Sequence, residues 1–176
     1  MIWMLLERVW IRAPAGITSL AATRYARGVK QREVEQPSRQ NSHETSLRVR
    51  YAETDQMGVV YYANYYVWME IGRVEFVRSR GLSYRELEEQ EGLFLAVIHS
   101  QCRYLAPARY DEEIVVETSV ASANSRVIEF AYQIRSPERL LARGSTRHMW
   151  LNREWKPANL PEKYRAALLS DDEESS

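Results

Sequence analysis

The segment "NYYVWMEIGRVEFVRSR" at 64–80 constrains this chain more than any other. Read as a helix, it presents Tyr65, Tyr66, Val67, Trp68, Met69, Ile71, Val74, Phe76 and Val77 around most of its circumference. A helix that is apolar nearly all round must be wrapped by other elements, because one laid on a surface keeps a polar face. Gly81 supplies its natural C-terminal stop. The wrapping has to come from the remainder of a 176-residue chain that is 45% hydrophobic and 27% charged, ordinary values for a domain with a real core.

That remainder reads as strands. A first strand is expected at 47–53, ahead of the helix. After it, "SYRE" at 83–86 has the form of a capping box opening a short helix that should stop at Gly92. The period then switches to two. Phe94, Ala96, Ile98, Cys102 and Tyr104 alternate along one strand until "APARYD" ends it. Ile114, Val116, Thr118 and Val120 alternate in the next, with Glu113, Glu117 and Ser119 facing water. Ile128, Phe130, Tyr132 and Ile134 form the inner face of the third, and "SPE" makes the turn after it. The fourth, 140–151, sets Ala142, Gly144 and Thr146 on one face, where a helix can come close. Hairpin connections imply an antiparallel sheet, so the fold class is α+β, one sheet curled around one apolar helix.

The domain is expected over 46–168. Residues 1–45 read as a flexible N-terminal extension and linker, the polar run at 30–46 being the linker proper. Residues 169–176 read as an acidic, disordered tail. The Arg-containing N-terminus lacks the charge order of a secretory signal; a plain extension or an upstream start codon is preferred to an organelle-targeting segment. Formal net charge is zero, so no whole-chain field draws in nucleic acid or an anionic membrane. No uncharged run reaches the roughly 18 residues of a membrane helix. One cysteine, Cys102, excludes an internal disulfide framework and suits a cytoplasmic location. His43, His99 and His148 lie far apart and make no metal-ligand spacing; His99 and His148 read as structural residues of the sheet.

One acid, Asp55, precedes fourteen uncharged residues, 56–69. An Asp in "ETDQMG" is commonly a cap or an Asx-turn residue, yet it stands about nine residues ahead of the helix, too far to cap it. A chemical role fits the placement. Residues 58–64 lead into the N-terminus of a buried helix, which offers free N–H groups and partial positive charge. Facing a carbonyl, that end would polarise it and stabilise an oxyanion. A carboxylate opposite would act as base or nucleophile. Thioesters suit so small a site, since their carbonyl has little resonance stabilisation and the thiolate leaves readily. No G-x-S-x-G is present, and Cys102 has no histidine partner in sequence.

The stretch "RYAETDQMGVVYYANYYVWMEIGRVEFVRSRGL", with "GLFLAVIHSQCRYLAPARYDEEIVVET" after it, resembles the 4-hydroxybenzoyl-CoA thioesterase family of hotdog-fold acyl-CoA thioesterases. The likeness spans about 47–165. It implies a hotdog fold, a long central helix wrapped by a five- or six-stranded antiparallel sheet. Dimers or tetramers, active sites at the dimer interface, an acyl-CoA substrate and no metal or cofactor are implied with it. By position, Asp55 matches the family's catalytic aspartate, nucleophile or general base on water. Tyr62 matches the residue whose backbone N–H polarises the carbonyl; many relatives have histidine there, others tyrosine. Gly58, Val59 and Tyr61 are the accompanying substrate-binding candidates, and Asn64 and Glu70 are read as scaffold. Arg126 and Arg147 are candidates for the coenzyme A phosphates. Tyr61, Tyr65, Tyr66 and Trp68 are candidates for an acyl pocket or for the core. Rival readings are an acyl carrier protein thioesterase, a hotdog hydratase or dehydratase, and a non-catalytic acyl-thioester binder.

Overall fold

The computed structural model describes residues 4–6, 9–11 and 41–170. Most of the N-terminal extension and the tail at 171–176 lie outside them. Within the extension, β1 (Met4–Leu6) and β2 (Val9–Ile11) pair antiparallel.

The main body is a five-stranded sheet and one long helix. In chain order it comprises β3 (Ser42–Arg48), a 3-10 turn (Tyr51–Glu53) and α1 (Asn64–Ser79). The short α2 (Tyr84–Glu86) follows and runs on into a π turn over Leu87–Glu91. Then come β4 (Phe94–Tyr104), β5 (Glu113–Ala123), β6 (Val127–Arg135), β7 (Leu140–Leu151) and α3 (Glu162–Leu169). The strand order is β3-β5-β6-β7-β4, every neighbour antiparallel, with β3 and β4 as open edges.

The helix begins at Asn64 and ends in a Schellman motif. Gly81, at φ 68°, gives its N–H to Arg78 O (2.9 Å), and Leu82 N–H reaches Val77 O (3.2 Å). Gly92 likewise stops the π turn in the left-handed region. Ser83 holds the N-cap position but makes no side-chain cap bond, so the expected capping box does not form.

The sheet covers the helix on one side. Tyr65, Trp68, Met69, Gly72, Phe76 and Val77 are buried at helical spacing, while Val67 is exposed and Tyr66, Ile71 and Val74 are half-buried. The five-stranded antiparallel sheet wraps the helix as expected without closing, and one apolar side stays partly uncovered.

The contact on the covered side is close because two glycines allow it. A Cβ on Gly72 would stand 2.6 Å from Thr118 Oγ1 and 2.7 Å from Val116 Cγ1. A Cβ on Gly144 would meet the Met69 side chain, as the small-residue face of β7 implied. Gly72→Ala gains helix propensity of up to ~1 kcal/mol yet overpacks this contact. A net loss of about 1–2 kcal/mol is expected, read from urea denaturation midpoints.

Three further expectations change. The first strand starts at Ser42, inside the polar run read as linker, and residues 51–53 turn rather than extend. An edge strand tolerates that polarity because its backbone pairing with β5 holds it. In β4 a bulge between Val97 and His99 shifts the register. It puts Leu95 and Val97 on the helix side with Cys102, and leaves Ile98 exposed. Ser119 is buried, a short side chain in register with Ala131 and Ser145 across the sheet. α3, unexpected from sequence, adds Leu168 to the core; Asn41 Nδ2 donates to its carbonyl (3.4 Å).

Candidate active site

The segment before α1 folds into a small hairpin. Thr54 and Val60 form an antiparallel bridge. Asp55 N–H donates to Val59 O (2.9 Å), and Gly58 N–H donates to Asp55 O (2.9 Å). Gly58 sits at φ 72°, a conformation that places glycine at the close of such a loop. The Asp55 side chain is half-buried, and its Oδ1 accepts the Met57 N–H at 2.8 Å. This is an Asx turn, so the structural reading of Asp55 is realised. It occupies one oxygen only. Oδ2 has no hydrogen bond or ion pair among the described residues.

The hairpin is fastened to the helix by a residue that sequence reasoning passed over. Glu53 is 4% exposed. Its carboxylate accepts the Arg50 N–H (2.8 Å), the Arg50 guanidinium (2.9 Å) and the Trp68 indole N–H (3.1 Å). Its carbonyl accepts Tyr61 N–H (2.9 Å) and Asn64 Nδ2 (2.8 Å). Asn64 thus braces the loop as expected. Glu70 does not; it is exposed and makes no hydrogen bond among the described residues.

Burial pushes the Glu53 pKa up, but the hydrogen bonds from Arg50 and Trp68 outweigh it and leave it below 4.5. The sign follows: the unfolded chain protonates this group first as pH falls. Its contribution is whole above about 4.5 and is lost as the pH drops below that. Glu53→Gln keeps the shape and removes the charge. A loss of about 2 kcal/mol at neutral pH is expected, given the ~1.5–3 kcal/mol of hydrogen bonds to charged groups. Chemical denaturation checks it.

At the helix entry, Asn64, Tyr65 and Tyr66 spend their N–H groups on Tyr61 O, Tyr62 O and Ala63 O (3.0, 3.4 and 3.1 Å). The N–H groups of Tyr62 and Ala63 have no acceptor among the described residues, and no side chain caps the helix. Tyr62 is held from the other side, since Tyr104 OH donates to its carbonyl at 3.1 Å. The loop after β4 closes in through Val60 N–H to Ala108 O (2.9 Å) and Ala108 N–H to Tyr65 OH (3.2 Å).

The family model that matches residues 49–168 is the thioesterase-like superfamily. The chain belongs to that superfamily. Among its relatives, YneP of Bacillus subtilis, provisionally named an acyl-CoA thioesterase, is 37% identical over 113 residues, 63% of this chain and 81% of that protein. The crystal structure of the protein TT1821 from Thermus thermophilus superposes with a TM-score of 0.68 at 40% identity, covering 71% of this chain and 95% of that one. The DHNA-CoA thioesterase of Staphylococcus aureus gives 0.69 at 29% identity, covering 72% and 87%. The fold of this superfamily member is the hotdog.

The other candidates are spread over the domain. Tyr61 and Tyr62 are exposed, their rings 4.5 Å apart. Tyr65 and Trp68 are core, while Tyr66 lines a cavity. Arg126 lies in the β5–β6 turn, bonded to Asn159 Oδ1 (2.9 Å). Its carbonyl accepts Trp150 N–H, eight residues, or about 26 Å of strand, beyond the β7 partner of Tyr104. Arg147 is exposed on the sheet face away from the helix, in register with His99 and Glu129. A single chain brings neither arginine to Asp55. His99 is exposed on edge strand β4, not a satisfied core residue. Cys102 is no nucleophile: burial pushes its thiol up to about 11. Among the described residues no helix is long and apolar enough to cross a membrane.

Proposed function

We propose that this protein is a cytoplasmic acyl-CoA thioesterase, with Asp55 as nucleophile or general base and the Tyr62 N–H as oxyanion donor. One observation carries the reading. A single hairpin bears a carboxylate oxygen without a partner among the described residues, and it leads straight into a helix entry where the Tyr62 and Ala63 N–H groups likewise have none.

As a general base, Oδ2 takes a proton from water while the water oxygen bonds to the thioester carbon. The carbonyl electrons move to oxygen, facing the Tyr62 N–H. They return as the carbon–sulfur bond breaks, releasing coenzyme A thiolate and free acid. As a nucleophile, Oδ2 bonds to that carbon itself, the carbon–sulfur bond breaks to release the thiolate, and water then opens the mixed anhydride to free acid and the Asp55 carboxylate. Gly58, Val59 and Tyr61 border the same entry. Thioester names among the relatives support the reaction class, and no histidine stands in the 55–62 segment to pair with Asp55 for hydratase chemistry.

A homodimer or homotetramer belongs to the same proposal. Edge strand β4 carries Val97 at 58% and Ile98 at 50% exposure beside the uncovered side of α1. A second copy would cover both. It would also be the source of any arginine, Arg126 or Arg147, that meets the coenzyme A phosphates, and light scattering tests the assembly.

Thiol release from a panel of acyl-CoAs tests the activity. The expected kcat/KM on the best substrate is at least ~10⁴ M⁻¹s⁻¹. Turnover of acyl carrier protein thioesters alone would move the reading to that substrate class, and none on either would end it.

A further inference from the structure

A cavity of about 300 Å³ lies between α1 and the β4–β7–β6 part of the sheet. Tyr66, Val67 and Val97 line it with apolar surface, but its other wall is polar. There Tyr132 OH and Thr146 Oγ1 share a hydrogen bond of 2.7 Å, and Thr146 Oγ1 and His148 Nε2 share one of 2.8 Å. Tyr132, Thr146 and His148 all line the cavity. His148 is wholly buried, and its Nδ1 has no hydrogen-bond partner among the described residues. Whichever way the protons point along this relay, Nδ1 is left over, as an N–H or as a lone pair. A hydroxyl group satisfies either case, because it can both donate and accept.

The wall is suited to an uncharged partner. Burial and the Arg73 guanidinium hold the His148 imidazole down to about 3, so the ring is neutral. Arg73 and Glu70 both line the cavity, with opposite charge.

The spacing between the relay and Tyr62 sets the length of the partner. Thr146 pairs with Ser100, four residues along β4 from Tyr104, which bonds Tyr62 O; that is about 13 Å of strand. Glu70 follows Tyr62 by eight residues on the adjoining helix, about 12 Å of axis. An extended chain advances about 1.2 Å per bond, so the relay stands roughly ten bonds from the Tyr62 N–H. The volume holds about ten water-sized groups of ~30 Å³.

We infer that this cavity is a subsite for a medium-length acyl chain whose far end carries a hydroxyl group, received by the Tyr132–Thr146–His148 relay. The inference rests on Tyr62 marking the thioester end. Short acyl groups, whose oxygen lies near the carbonyl, do not reach the relay.

The test uses binding, so that it does not depend on turnover. Affinities of ω-hydroxydecanoyl-CoA and decanoyl-CoA are measured by calorimetry on Asp55→Asn protein, which keeps the Met57 N–H acceptor. The hydroxylated chain should bind about tenfold tighter, since a neutral polar site discriminates against a partner that leaves it unpaired. β-Hydroxybutanoyl-CoA and butanoyl-CoA should bind alike. Thr146→Val and Tyr132→Phe should each bring the long-chain pair within about twofold. Equal or weaker binding of the hydroxylated chain overturns the inference, as does a preference that survives both substitutions. The hydrolase reading fails separately: wild-type protein would then release no thiol from a chain it still prefers.

Discussion

Asp55→Asn should lower kcat by about 10³-fold, within the ~10²–10⁴ range of a positioned proton-transfer group, and leave KM nearly unchanged. The substitution is clean because of how the carboxylate is used. Oδ1 accepts the Met57 N–H at 2.8 Å, and the Asn carbonyl oxygen can do the same. The hairpin and its Thr54–Val60 bridge therefore keep their shape. What is lost is the chemistry of Oδ2, which becomes an NH₂ group that can neither take a proton nor attack a carbonyl. Thermal melts of the two proteins should coincide within about 0.5 kcal/mol, the ordinary scatter of a substitution that breaks no packing or pairing. Single-turnover thiol release then reads the chemical step directly.

Two outcomes would count against the reading. A variant retaining more than a tenth of wild-type kcat would make Asp55 a turn residue alone. A rise in KM at constant kcat would make it a binding group. Glu53 serves as the contrast. Its carboxylate is fully engaged by Arg50 and Trp68, so its replacement should act through stability and not through the proton step.

Particular elements show how far the sequence reaches. Helix α1 was legible from its start at Asn64 to its Gly81 stop, because apolar residues at helical spacing and a left-handed glycine are local signals. The alternation along β5 and β6 was legible for the same reason. β3 was not: "SHETSLR" carries one large apolar residue, and backbone pairing to β5 holds it, which no local pattern records. The β4 bulge has no glycine or proline to announce it, so Ile98 was placed in the apolar alternation although it stands exposed. α3 left a trace, Tyr164 and Leu168 at helical spacing after Pro161, that a stricter scan would catch.

The site divides along similar lines. Asp55 stood out as the last charge before a long uncharged run. Its choice between turn residue and chemical group was falsely exclusive, since a carboxylate has two oxygens and the turn takes one. Glu53 stood only as the last residue of the expected first strand. Only the fold reveals that it is buried against Trp68, fifteen residues ahead in the chain. The relay under the cavity joins β6 and β7 and exists only once the strands are in register.

His148 should make the domain lose stability as the solution turns mildly acidic. Its imidazole is wholly buried, bonded at Nε2 to Thr146 and in edge contact with the Phe130 ring. Burial first, and the Arg73 charge second, lower its folded pKa from 6.5 to about 3. The unfolded chain therefore takes up a proton between 6.5 and 3 that the folded chain refuses. Stability from this residue is intact above 6.5 and drains away as the pH falls toward 3. The slope is up to about 1.4 kcal/mol per pH unit, so the loss near pH 4 is about 3 kcal/mol. Carboxylates such as Glu53 also weaken the fold in acid, but over a lower range. Denaturation curves at pH 7, 6, 5 and 4 for wild-type protein and His148→Gln separate the two contributions, because Gln offers Thr146 a partner and does not titrate. The wild-type curve should fall more steeply above pH 5, and parallel curves would show that the imidazole does not carry the effect.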